Sequence, residues 1–229
     1  MNRQLNIYRN RNNYNELKTK EQEAIDAKIS DAFSKMNFEA DINNAKGRLR
    51  SLSFDCIYGT DANPRMARTA KMNMIMHGDG HGGVHHHDGL LNVNGIWDGR
   101  FDVILTNPPF GSRVDKDSII TEADKFTDDV KINAYVKRYG EEYLTALKQV
   151  NDHIGEPLLK QFEVGKMSAL TEVLFIDRCL NLLKPGGRLG IVLPEGVLNN
   201  TNLQNVREYF EGRAKILLIV SIPQEVFMA

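Results

Sequence analysis

The sequence predicts an α/β fold built on a doubly wound, mostly parallel sheet. Two observations carry that expectation. Short apolar runs of strand character alternate with helical segments, and such alternation means a parallel sheet covered on both faces. The residues able to do chemistry also cluster just past the carboxyl ends of those runs, where open α/β sheets bind ligands. With 229 residues, 41% hydrophobic and 26% charged, the chain has an ordinary globular composition and the length of one large domain of this class.

The elements follow in order. Residues 1–50 are strongly polar, and Leu17, Ile25, Ile29 and Phe33 recur at roughly helical spacing, which predicts one long surface helix. The core is expected to occupy residues 51–229. "FDCIYGTD" reads as a strand ending in an acid. "NPRMARTAKMNMIMHG" reads as a helix capped by Asn63, with Pro64 at its first position and Gly78 as its stop. A second short strand lies within "GGVHHHDGLL" and a third within "FDVILTNPPF". Residues 111–166 are charged and weakly periodic, so a helical and loop insertion is expected there. "SALTEVLFIDRCLNLLKPGG" predicts a helix with Ser168 as its cap and a Pro-Gly-Gly stop. "RLGIVLPEG" then predicts a strand, "NLQNVREYFEG" a helix and "AKILLIVSIP" a final strand.

Several function classes are disfavoured at once. A net charge of −1 gives no global basic signature, so a nucleic acid would have to meet a local face or one supplied by another chain. Cys56 and Cys179 each sit in an apolar run, which predicts buried thiols in a reducing compartment. No stretch approaches eighteen apolar residues and the start is polar, so the cytoplasm is the expected location. "HGDGHGGVHHHDG" holds five histidines, at 77, 81, 85, 86 and 87, yet no cysteine joins them and the glycines suit a loop. No metal site is expected there. Gly78-Asp79-Gly80 is a turn without the lysine of a phosphate loop. Arg65, Arg68 and Lys71 read as a solvated helix face, and Glu195 as a turn residue.

The strand ends deliver Asp61, then Asp88, then Asn107-Pro108-Pro109-Phe110. A carboxylate accepts through two oxygens, so an acid after the first strand suits a ribose diol. A second acid one strand over suits an adenine amino group, although either alone could merely cap a turn. The Pro-Pro step is stiff and lacks donors, so the Asn107 side-chain oxygen and the Pro108 carbonyl can converge as two acceptors. Two acceptors aimed at one exocyclic amino group draw its lone pair out of conjugation and face its developing positive charge with fixed dipoles. Phe110 offers a face for stacking, and a base reached this way must leave the duplex.

These residues carry a resemblance. Asn107-Pro108-Pro109-Phe110 is similar to the catalytic motif of amino-group DNA methyltransferases in its adenine form. In order and spacing, residues 54–229 resemble the N-6 adenine DNA methylase domain of modification subunits in type I restriction systems. The resemblance implies the Rossmann-like fold of S-adenosylmethionine-dependent methyltransferases. It implies S-adenosylmethionine as donor, with Asp61 at its ribose, Asp88 at its adenine and direct transfer to the adenine amino nitrogen. The partners implied are double-stranded DNA, a specificity subunit and a restriction subunit.

Two departures accompany it. The family's glycine-rich loop after the first strand is absent, since Gly47 is the first glycine. The chain also stops at Met228-Ala229, where relatives continue into another strand. A domain lacking both features is expected to bind cofactor weakly on its own and to associate through unpaired strand edges, with a partner or with another copy. Two other functions compete: a noncatalytic fragment that binds DNA or a specificity subunit, and an amino-group methyltransferase acting on protein or RNA.

Overall fold

The computed structural model describes residues 18–41, 44, 46–78 and 83–223, a mixed helix and strand structure dividing into two units at His86/His87. Leu17, Asp79, Gly80 and His81 lie outside the described residues.

In the first unit the polar segment forms helix α1, Thr19–Ala40, with the Lys18 backbone N–H donating to Glu21 at 3.1 Å. Ile25, Ile29 and Phe33 are the half-buried apolar stripe that their spacing predicts. A second helix, α2 (Arg48–Asp55), takes Phe54 and Asp55, the first two residues of the expected first strand. The Arg50 guanidinium lies 4.3 Å from the Phe54 ring centre, an i,i+4 contact that helix geometry provides and a strand cannot. The strand β1 is therefore only Tyr58–Asp61.

Helix α3, Pro64–Met76, starts as predicted. The Asn63 side chain accepts from the Arg65 and Met66 N–H groups at 2.9 and 3.4 Å, and Pro64 occupies the first turn, where no donor is missed. Gly78 follows in the left-handed region at φ +88°, suited to a helix stop. Its carbonyl accepts from the buried Ser53 hydroxyl at 2.9 Å. Strand β2, Gly83–His86, pairs parallel with β1, Tyr58 opposite Gly83 and Asp61 opposite His86. A side chain at Gly83 would run into the Tyr58 ring.

In the second unit β3 (Phe101–Thr106) pairs parallel with β4 (Leu183–Ile191), Thr106 opposite Ile191. The register jumps between Phe101 and Val103, so the Pro185-Gly186-Gly187 step is a bulge inside β4, with Gly186 at φ +81°. The connection holds α4 (Asp129–Tyr139), α5 (Glu142–Asn151) and α6 (Thr171–Leu182), with short 3-10 turns. Ser168 is not the cap of α6, which is Leu170. Its hydroxyl instead accepts from the Leu170 N–H at 3.2 Å, one step upstream. Helices α7 (Glu195–Asn199) and α8 (Gln204–Arg213) close the unit.

Residues 214–223, expected as a final strand, form no regular element. Strand propensity becomes a strand only where a neighbour completes the ladder, and these residues have none among the described ones. Ile216, Leu217, Leu218, Ile219 and Val220 are exposed accordingly. The expected sheet is thus represented by two short parallel ladders.

Helix α6 fills the core of the second unit, with Val173 and Leu174 fully buried against Ile120, Val150 and Val164. Its Asp177, also fully buried, accepts from the Glu163 N–H at 3.0 Å, the Tyr209 hydroxyl at 2.9 Å and Arg213 at 2.9 Å. A smaller aromatic cluster packs Trp97 edge-on to Tyr139 at 5.5 Å, with the Arg100 guanidinium 4.3 Å from the Trp97 ring. Burial pushes the Tyr143 hydroxyl in this cluster up to about 12. No helix among the described residues is long and apolar enough to cross a membrane.

Only one cysteine meets its expectation. Cys179 is buried on α6, and desolvation pushes its thiol up to about 12. Cys56 is exposed, because it sits at the end of α2 rather than inside a strand. A maleimide reagent at pH 7 is therefore expected to label Cys56 in the native protein and to reach Cys179 only after denaturation. Labelling of both at equal rates, read by mass spectrometry, would contradict this placement.

Candidate functional site

Asp61 ends β1 in the first unit and is half-buried. Its Oδ1 accepts from the Asn63 N–H at 2.7 Å, which fixes the turn into α3. Its other oxygen makes no hydrogen bond among the described residues. On the neighbouring strand, His86 Nε2 lies 3.1 Å from the Ala62 carbonyl and braces the same turn.

Asp88 lies in the second unit and repeats this pattern. Its Oδ1 accepts from the Leu90 N–H at 2.9 Å, its carbonyl accepts from the Leu91 N–H at 3.2 Å, and the second carboxylate oxygen makes no hydrogen bond among the described residues. The preceding His87 ring stacks on Phe126, centres 6.3 Å apart.

A residue that sequence reasoning missed holds this turn. Arg178, 3% exposed, donates from Nε to the Gly89 carbonyl at 3.2 Å, from Nη2 to the Leu91 carbonyl at 2.9 Å and from Nη1 to Asp98 at 2.9 Å. Burial pushes the guanidinium below its ordinary range, and the Asp98 charge opposes that shift. The available signal was a charged pair, Asp177-Arg178, inside the apolar run "LFIDRCL".

Asn107 to Phe110 follow β3 directly. The ladder reaches the last residue before the loop, since Val192 N–H donates to the Thr106 carbonyl at 3.1 Å. On the far side, Gly111 turns at φ +71°, Thr171 N–H donates to the Ser112 carbonyl at 3.0 Å and Val114 N–H to the Ala169 carbonyl at 2.9 Å. Pro108 is buried between these anchors, whereas Asn107 and Pro109 are exposed and Phe110 is 40% exposed. Neither the Asn107 amide nor the Pro108 carbonyl hydrogen-bonds to the described residues. The buried Glu172, beside the Thr171 anchor, also has an oxygen with no donor among them.

Other singled-out residues have local roles. Glu195 accepts from the Asn199 amide at 3.0 Å within α7. Arg65, Arg68 and Lys71 lie exposed along α3. His77 places a ring nitrogen 2.8 Å from the Asn73 carbonyl. Among the described residues no three His, Cys, Asp or Glu side chains gather as a metal site would require.

A family described as N-6 DNA Methylase matches residues 36–140 and 159–229. The type I restriction enzyme EcoEI methylase subunit of Escherichia coli is 26% identical over 173 residues, covering 75% of this chain and 27% of that protein. The chain therefore spans about a quarter of that relative's length.

An exposed amide without protein partners contributes little to folding. Asn107→Ala is expected to change unfolding free energy by less than about 0.5 kcal/mol in urea titration. A loss above about 1 kcal/mol would mean that the amide supports the loop itself.

Proposed function

Since the chain belongs to the N-6 DNA methylase family, we propose that it carries the catalytic core of an adenine-specific DNA methyltransferase in a restriction-modification system. The observation that carries this is the pair of open acceptors, the Asn107 amide oxygen and the Pro108 carbonyl, on a loop anchored at both ends. A flipped adenine stacks on Phe110 and donates both amino hydrogens to these acceptors. Its nitrogen lone pair, freed from the ring, would take the methyl carbon as the carbon–sulfur bond of the donor breaks, the electron pair staying on sulfur as a neutral thioether, and the surplus proton leaves to water. S-adenosylmethionine, when bound, supplies an electrophilic methyl group on a sulfonium sulfur. The open oxygen of Asp61 suits a ribose hydroxyl and that of Asp88 an adenine amino group.

The finer fold is part of the same proposal: a doubly wound, Rossmann-like core at 51–229 with an insertion at about 111–166, after a helical segment at 1–50. The parallel hand of both ladders supports it. A net charge of −1 suits a cytoplasmic subunit whose DNA contacts come largely from a specificity subunit, with a restriction subunit in the same assembly. The competing reading is a noncatalytic chain that binds DNA or a specificity subunit.

Labelled methyl transfer to double-stranded DNA, by the protein assembled with its specificity subunit, separates these readings. Asn107→Ala is expected to lose roughly a hundredfold or more in rate while keeping cofactor affinity. Retention of activity near the unmutated level would overturn the assignment.

Phe110 is tested by ring chemistry. Phe110→Trp is expected to keep most activity, and Phe110→Ala to lose about 1–3 kcal/mol of target-base binding, read as a raised KM for DNA. Equal behaviour of the two variants would make Phe110 a packing residue.

A further inference from the structure

Helix α6 meets both parts of the proposed site within the second unit. At its first residue, Thr171 N–H donates to the Ser112 carbonyl at 3.0 Å and holds the loop that follows Phe110. Seven residues on, roughly 10 Å along the axis at helical rise, Arg178 grips the turn that begins at Asp88. The turn's own bonds are local ones from Leu90 and Leu91 back to Asp88. They give it a shape but do not fix its position in the unit. The bonds from Arg178 cross 87 to 89 positions of sequence and do fix it.

We propose that Arg178 is a positioning residue for cofactor binding, setting where Asp88 presents its open carboxylate oxygen. This rests on the assignment of Asp88 to the cofactor's adenine. The chemistry of the side chain supports it. A guanidinium carries five donors in a rigid plane, so two carbonyls and one carboxylate bound together are held at fixed mutual spacing. An ammonium has no such plane, so lysine at this position would hold a subset of the three loosely. Arg178 is 3% exposed, so it is not itself placed to touch a ligand. Its effect passes through the turn.

The experiment uses the protein assembled with its specificity subunit and compares Arg178→Lys, Asp88→Asn and the double variant. Each is measured for KM of S-adenosylmethionine, for kcat and for KM of DNA. Emission from Trp97, this chain's single tryptophan and the neighbour of Asp98, checks the folding of each variant before the specificity subunit is added. Arg178→Lys and Asp88→Asn are each expected to raise the cofactor KM about tenfold, with kcat and the DNA KM within about twofold. The double variant is expected to be little worse than either single one, because both act through one contact. A rise in Asp88→Asn alone overturns the positioning role and leaves the Asp88 assignment standing. No rise in either overturns both, and multiplied losses in the double variant show that Arg178 acts elsewhere. If Arg178→Lys fails to fold, Asp98→Asn removes one anchor from a more exposed partner. It is then expected to raise the same KM severalfold, and an unchanged KM overturns the proposal.

Discussion

Two adjacent residues of opposite charge, Asp177 and Arg178, sit in the middle of a buried helix, and the second unit is organised around them. Burying an ion is costly unless its partners replace the water it loses. Both meet that requirement, in different directions. Asp177 draws in the Glu163 backbone, Tyr209 and Arg213, which ties α8 and the turn before α6 to the helix. Arg178 draws in Gly89, Leu91 and Asp98. Apolar packing of Val173 and Leu174 fills space but does not choose an orientation. The charged pair does so, since any other arrangement strands an ion.

What was legible in the sequence had local causes. Asn63 followed by Pro64 states its own geometry, because a side-chain acceptor and a missing donor act within one turn. The Asn-Pro-Pro-Phe loop was legible for the same reason: prolines remove donors wherever they stand, so open carbonyls there needed no knowledge of the rest of the chain. What was missed depended on distance. The apolar run at 214–223 has strand propensity but no ladder among the described residues. "RLRSLSFD" gave no strong sign of α2, whose Arg50–Phe54 contact exists only once the helix does. Arg178 was the hardest to see. Its partners lie 80 to 89 positions away, and its one local sign, a charged pair inside an apolar run, does not say what those partners are.

The exposed apolar residues follow from the same parallel ladders. Strands of parallel sheets are ordinarily covered on both faces and read as continuous hydrophobic runs. In β3, Val103 is 58% exposed and Leu105 81%, although both belong to such a run. The sequence thus prepares this strand for cover that the described residues do not supply.

Asp61 and Asp88 show why a structural and a functional role for one residue need not compete. Each carboxylate gives one oxygen to a backbone N–H two positions ahead, and each keeps a second oxygen without a partner among the described residues. An acid left free at a strand end would sample several rotamers, and ordering it on a ligand would cost about 0.5–1.5 kcal/mol. The turn bond removes most of that freedom beforehand. An acid followed two residues later by an unbonded N–H is therefore both the means of turning the chain and a prepared acceptor. Capping a turn and holding a nucleoside predict the same residue at the same place, which is why sequence alone left the two open. The second oxygen is where they differ in use: a pure cap leaves it to water, whereas a ligand acceptor would offer it to the ligand.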